Sequence, residues 1–380
     1  MNAHDSATGT GSAIEPSGEG LPAFPVSVLL GGLTGVGISA HESFASTIDI
    51  AELADVRGFT RLWITEHHSM PGVSSSVPAV ILARLTAHTS QLRLGSGGVM
   101  LPNHAPLAVA EQYGMLDALA PGRIDLGLGR APGTDMATAS ALRGRDAQDA
   151  STFAEQVSEL IAFLNDDHPN GHPYDAVHAV PGPWQAQQNR VDTSAAGPSA
   201  WLLGSSLHSA ELAGRLGRPY AFAFHLAREN VEPALSAYRR AFRPSSHLER
   251  PYAAVSIGVM ALDDEHEARR QAASFGYSML SMMRRDPFLL PTPDFVDMYR
   301  GTPSEMAVLH DWTDRVVHGN PSDVTSRVEH LQASTGADEI LLAPEGHSLE
   351  AQQSTLANIA DELGMRAAKP AARSQTHANI

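Results

Sequence analysis

The sequence predicts an α/β fold, a (β/α)8 TIM barrel with irregular insertions in its βα loops. Short apolar runs alternate with segments of helical periodicity along most of the chain, the pattern of successive parallel βα units. Eight such runs can be counted, and eight units favour closure into a barrel over an open sheet. The open, doubly wound alternative usually carries G-x-G-x-x-G straight after its first strand. The loop with Gly31, Gly32, Gly35 and Gly37 does not meet that pattern.

The first strand is read at residues 26–30, a short apolar run that ends in this glycine loop. Helix 43–57 follows, with Phe44, Ile48, Leu53 and Val56 on one face and Gly58 as its C-terminal stop. Strand 61–65 leads through a polar loop to helix 78–88, where Pro78 occupies a first turn that loses nothing by lacking an N–H. Strand 92–98, helix 106–119 and strand 124–128 complete the first half, with Pro121-Gly122 ending the helix.

The second half is looser. Helix 149–164 is followed by an irregular excursion, 168–199, rich in Pro, Gly, Gln and His. Strand 200–203, helix 206–216, strand 220–224, helix 231–242 and strand 253–260 come next. Helix 263–283 opens on acidic residues that suit the positive end of its dipole. A second irregular excursion, 288–311, precedes helix 322–334, strand 339–342 and helix 349–363. One domain is expected over 25–365, between a disordered polar leader, 1–24, and a disordered tail, 366–380.

Composition narrows the function. Hydrophobic residues make up 43% of the chain and charged residues 18%, enough apolar material for a large core. The formal charge of −16 repels nucleic acid and anionic membranes, so neither is an expected partner. With no cysteine, thiolate nucleophiles, disulfides and cysteine-held metals are excluded. No apolar stretch is long enough to span a bilayer, and residues 1–20 lack the basic start and apolar centre of a signal peptide, so a cytoplasmic protein is expected.

Reactive groups in such a barrel belong at the C-terminal ends of strands, and four segments meet that test. Glu66-His67-His68 offers an acid–base pair near neutral pH, the alternative being a histidine that caps or packs. No metal is expected there, because adjacent side chains on extended backbone diverge. Gly97-Gly98-Val99 would let backbone approach a flat ligand, or simply form a bulge. Arg130 can grip a phosphate or carboxylate, or brace the rim through an ion pair. Ser205 and Ser206 open a helix whose free N–H groups suit an anion, although an ordinary serine cap reads the same way.

Taken together, segments 63–68, 95–106, 122–130 and 201–206 resemble the bacterial-luciferase-like flavin monooxygenases over about residues 25–363. They are closer to the single-chain luciferase-like oxidoreductases of bacterial genomes than to luciferase itself. The resemblance implies that His67 is a catalytic base beside the flavin and that Gly97–Gly98 is a cis peptide against its ring, with Val99 adjoining. It further implies that Arg130, Ser205 and Ser206 hold the FMN phosphate. The implied activity uses reduced FMN and O2 to oxidise a small organic substrate, in a homodimer supplied by a separate flavin reductase. An F420-dependent oxidoreductase and a non-catalytic flavin-binding barrel are the alternatives. Gly204 stands where luciferase has an acidic residue and Gly129 where it has a reactive cysteine, and light emission is not implied. Both excursions would then serve as lids or substrate walls.

Overall fold

The computed structural model describes residues 22–143, 152–191 and 197–365. The leader up to residue 21, the tail from residue 366 and the start of the expected helix at 149 lie outside the described residues. Phe24, in the last part of that leader, is buried in the core.

The first half runs β1 (Val26–Leu30), α1 (Ala40–Arg57), β2 (Arg61–Ile64), α2 (Pro78–Thr86), β3 (Arg93–Met100), α3 (Pro106–Leu119) and β4 (Ile124–Gly129). Next come α4 (Met136–Arg143), α5 (Phe153–Asn165), α6 (Pro183–Gln188), β5 (Ser199–Gly204), α7 (Leu207–Arg215), β6 (Tyr220–Ala223) and α8 (Val231–Ala241). Then follow β7 (Ala253–Ala261), α9 (Glu265–Met283), α10 (Pro293–Met298) and α11 (Pro303–Arg315). The described chain closes with β8 (Val317–Gly319), α12 (Pro321–Thr335), β9 (Glu339–Pro344) and α13 (Leu349–Glu362).

Local chemistry explains many of the boundaries. Ser39 and Glu42 form a capping box at the start of α1, and Gly58 ends it with φ of 80°, a conformation that only glycine adopts freely. Asp264 caps α9 by accepting from the N–H groups of His266 and Glu267. The strands pair in parallel in the order β6-β5-β4-β3-β2-β1-β9-β7, and β6 also pairs with β7, closing an eight-stranded barrel. Among the described residues no helix is long and apolar enough to cross a membrane.

Two differences from the expected elements affect the site. The stretch 288–311 is largely helical, because Thr292-Pro293 and Thr302-Pro303 each supply a capping hydroxyl and a proline at the first helical position. A strand additional to the barrel's eight, β8, pairs only with the end of β7 and lies off the barrel. The segment α9–α11 is therefore an insertion after β7. The excursion at 168–199 instead follows α5 and leads into β5, on the return path to the next strand, and it contains α6.

The barrel interior is layered. At the N-terminal ends of the strands, Arg61 donates to both oxygens of Glu339, at 2.7 and 2.9 Å, and to Asp125 at 2.6 Å. Arg93 adds a second cation to Asp125, and Tyr252 and Ser27 donate to Glu339. Above this floor the edge-on rings of Trp63 and Trp201, 5.0 Å apart, pack with Leu29, Ala221, Ala254 and Leu341. Residues such as Leu62, Leu94, Leu126 and Leu342 point outward and are fully buried against the helices. Each contributes about 1.5–3 kcal/mol of hydrophobic stabilisation.

Candidate active site

A cavity of about 430 Å³ lies above the tryptophan layer, at the C-terminal ends of the strands. Its walls are mostly apolar, with Leu29, Leu33, Trp63 and Leu203 from the barrel and Phe275 and Phe288 from the insertion after β7. Met279 and Met282 of α9 also line it, whereas no described residue of 168–191 reaches it. Among the described residues only the second expected wall lines the cavity.

The loop after β2 is extended, so its side chains alternate. His67 faces the cavity, and its Nδ1 lies 3.3 Å from the carbonyl oxygen of Gly133. Gly133 holds φ of 63°, and a Cβ there would come within 2.9 Å of the Glu66 carbonyl. Burial pushes the His67 imidazole below the ordinary histidine range, against the opposing pull of the Gly133 carbonyl and of Glu66.

Glu66 is not the acid partner of His67. It is buried behind the cavity wall, where its Oε1 meets Nε2 of His68 at 2.9 Å and of His104 at 2.8 Å. The Met100 N–H donates to its other oxygen at 3.1 Å. Burial alone would raise this carboxyl, but the His104 and His68 contacts and the Met100 amide hold it below the usual carboxylate range. The cluster ties the β2 loop to the end of β3.

At the end of β3, the Gly97–Gly98 peptide bond is cis, and the pairing with β4 shifts register between Ser96 and Val99. Both glycines line the cavity. A Cβ on Gly97 would lie 2.5 Å from Leu29 and 3.1 Å from Trp63. Val99 does not reach the cavity: it pairs opposite Leu128 and is buried in the outer core. Its side chain points away from the face that Gly98 offers, unlike the expected place beside a ligand.

Arg130, just beyond β4, lines the cavity rim and is exposed. Among the described residues its guanidinium has no hydrogen-bond or ion-pair partner of the kind that would brace the rim. Ser205 and Ser206 lie beside it, beyond the adjacent strand β5, and both line the cavity. Ser206 caps α7, accepting from the Ser209 N–H at 3.4 Å. At Gly204 a side chain would collide with the Ser209 hydroxyl, which accounts for a glycine at that turn.

Two ionisable residues in the walls were missed from sequence. His225, after β6, places Nδ1 3.2 Å from the Ser256 hydroxyl of β7, and burial pushes it down to about 4. Glu345, the residue after β9, is 8% exposed, and burial pushes it up to about 8 against the weaker pull of Arg228. Each follows directly on a strand or its first turn, so the strand-end rule that found His67 could have found both. The cavity thus combines a rim that carries a guanidinium and a helix start, imidazoles and a carboxyl whose burial favours their neutral forms, and apolar walls.

Comparison with known proteins fits this architecture. The family model described as luciferase-like monooxygenase matches residues 25–339. A luciferase-like monooxygenase of Escherichia coli (strain K12) is 41% identical over 307 residues, covering 80% of this chain and 87% of that protein. The oxygenase component of a flavin-dependent trigonelline monooxygenase from Acinetobacter baylyi is 26% identical over 225 residues, covering 58% and 60%. Among solved structures, apo-MsnO8 superposes with a TM-score of 0.79 at 30% identity, covering 90% of this chain and 99% of that one. The chain belongs to the luciferase-like monooxygenase family.

Proposed function

We propose that this protein is the oxygenase of a two-component flavin-dependent monooxygenase, using reduced FMN and O2 to oxidise a small organic substrate. The observation that carries the reading is Arg130, without an ion-pair partner among the described residues, next to the capped start of α7, on the rim of an apolar cavity with His67 in its wall. In a chain of net charge −16, a free guanidinium beside helix N–H groups suits a dianionic phosphate. The trigonelline relative, named as an oxygenase component, supports a separate flavin reductase as partner.

The residues fit the cofactor. Arg130, Ser205 and Ser206 would hold its phosphate, and Gly97 and Gly98 would offer a wall without side chains to its ring. Bound reduced FMN would supply the two electrons needed to activate O2. The chain's own part is to orient, to exclude water and to handle protons. Leu29, Leu203, Phe275 and Phe288 keep the cavity dry. His67, donating from Nδ1 to Gly133, keeps a lone pair on Nε2 with which to take a proton.

A homodimer is part of the proposal, and light scattering at micromolar concentration tests it: a monomeric mass refutes it. The reading as a whole is tested by titrating the protein with reduced FMN without oxygen and then mixing it with O2 and candidate substrates. Product carrying one oxygen atom from O2 supports it. Binding of F420 in preference to FMN, without oxygen consumption, contradicts it.

A further inference from the structure

Behind the cavity wall lies a group of side chains that the proposed oxygenase reaction does not use. The loop after β2 is extended, so Glu66 and His68, two residues apart, turn to the face opposite the one that His67 presents to the cavity. Strand β3 pairs alongside β2, and the short helical turn Leu101–Asn103 at its end delivers His104 to the same place. Nε2 of His68 lies 2.9 Å from Oε1 of Glu66, and Nε2 of His104 lies 2.8 Å from the same oxygen. The three donor atoms all lie within 4.8 Å of one another. Adjacent side chains on such a loop diverge, but here the two on one face are joined by a third from the neighbouring strand end.

The carboxylate is oriented from behind. The Met100 N–H donates to Oε2 of Glu66 at 3.1 Å, which leaves Oε1 aimed between the two rings. Carboxylates that bind metals are held by neighbouring donors in the same way. The Glu66 side chain is 1% exposed, whereas those of His68 and His104 are 10% and 25% exposed, so solvent reaches the group past the rings. A tetrahedral zinc ion about 2.0–2.1 Å from each donor keeps its ligands about 3.3 Å apart, so each contact would open by only about 0.5 Å. In a chain without cysteine, imidazole and carboxylate are the ligands left for such an ion. None of the three side chains lines the cavity.

We propose that Glu66, His68 and His104 form a site for one zinc ion, bound through Oε1 of the carboxylate and Nε2 of both imidazoles, with water in the fourth tetrahedral position. Each ring then carries its proton on Nδ1 and gives the Nε2 lone pair to the ion. The ion ties the β2 loop, in which His67 stands between two of the ligands, to the end of β3. It braces the wall from behind and takes no part in chemistry inside the cavity. Without a metal the same three groups are a carboxylate that accepts from two imidazoles, and metal titration separates the two states.

The test is a titration of the full chain, stripped with EDTA and dialysed, with Zn²⁺ and then with Co²⁺ as a coloured substitute. Wild type should bind one zinc ion per chain with a Kd on the order of 1 µM or below. At a zinc concentration about a hundredfold above Kd, the melting temperature should rise by about 3–5 °C. Bound Co²⁺ should show the intense visible bands of a four-coordinate ion, not the faint ones of a six-coordinate ion. Glu66→Gln keeps an oxygen that can accept from both rings but loses the charge, and His104→Gln loses a ring. Each should weaken zinc binding about 100-fold or more, with the circular dichroism spectrum unchanged. Removing the stacked pair His168 and His172, by His168→Ala with His172→Ala, should leave the zinc Kd as in wild type. No zinc bound by wild type, a six-coordinate cobalt spectrum, wild-type affinity in Glu66→Gln, or a site lost with the His168–His172 pair would overturn the proposal. The cobalt spectrum is read on wild type, so it decides the matter even where a variant does not fold.

Discussion

The Nδ1 nitrogen of His67 lies 3.3 Å from the carbonyl oxygen of Gly133. A carbonyl only accepts, so Nδ1 carries the proton and Nε2 keeps its lone pair. Gly133 can present that carbonyl because its φ of 63° suits glycine. Replacing His67 with Ala should lower substrate-dependent oxygen consumption by about 10²–10⁴-fold, the usual worth of a positioned base. Flavin affinity, measured by titration, should stay within about twofold. The acid limb of the wild-type pH profile should fall below the ordinary histidine range, because burial favours the neutral ring.

Among the described residues, Arg130 has no hydrogen-bond or ion-pair partner at the rim. Arg130→Ala should weaken binding of reduced FMN by about 1.5–3 kcal/mol, roughly 10- to 150-fold in Kd. Unchanged affinity in a titration would show that the phosphate is held elsewhere.

The floor of the barrel makes a stability prediction independent of the cofactor. Arg61 is buried and serves Asp125 and Glu339 together. Arg61→Met would leave Glu339 buried without its cation and Asp125 with Arg93 alone. Urea unfolding should show a loss of about 3–5 kcal/mol, the cost of breaking a buried pair from one side. Arg93→Met should cost less, because Asp125 retains Arg61 and Arg93 is partly exposed.

Glu345 links stability to pH. Its carboxyl is raised in the folded state to about 8 from an ordinary value of 4.5. Its contribution to stability is therefore complete below about pH 4.5 and is lost as pH rises through about 8. Relative to Glu345→Gln, which does not titrate, wild type should lose on the order of 3–5 kcal/mol over that window. Melting temperatures of the two proteins from pH 5 to 9 would check this, and parallel curves would contradict it.

Much of the fold was legible because each strand is an apolar run and many helices announce themselves with a serine, proline or acidic start. The helices α10 and α11 escaped because three prolines and a glycine suggested an irregular stretch. Thr302 and Glu305 nevertheless form a capping box that the sequence displays. At the site, His67, Gly97, Gly98, Arg130, Ser205 and Ser206 come from four strand ends and meet around one cavity. The side chain of Val99 lies in the outer core and not in the cavity, because a one-residue step on a strand reverses the side chain. The Arg61–Asp125–Glu339 floor could not be read at all. Its members are 64 and 278 residues apart, and only closure of the barrel joins them.

The proposed role of this cavity is to bind reduced flavin and direct its reaction with oxygen. The most direct measurement is an anaerobic titration with reduced FMN followed by rapid mixing with oxygenated buffer, with absorbance recorded through time. Saturable binding, and a distinct kinetic phase before oxidised flavin appears, is the expected result. No binding, or oxidation at the rate of free reduced FMN, would contradict the account.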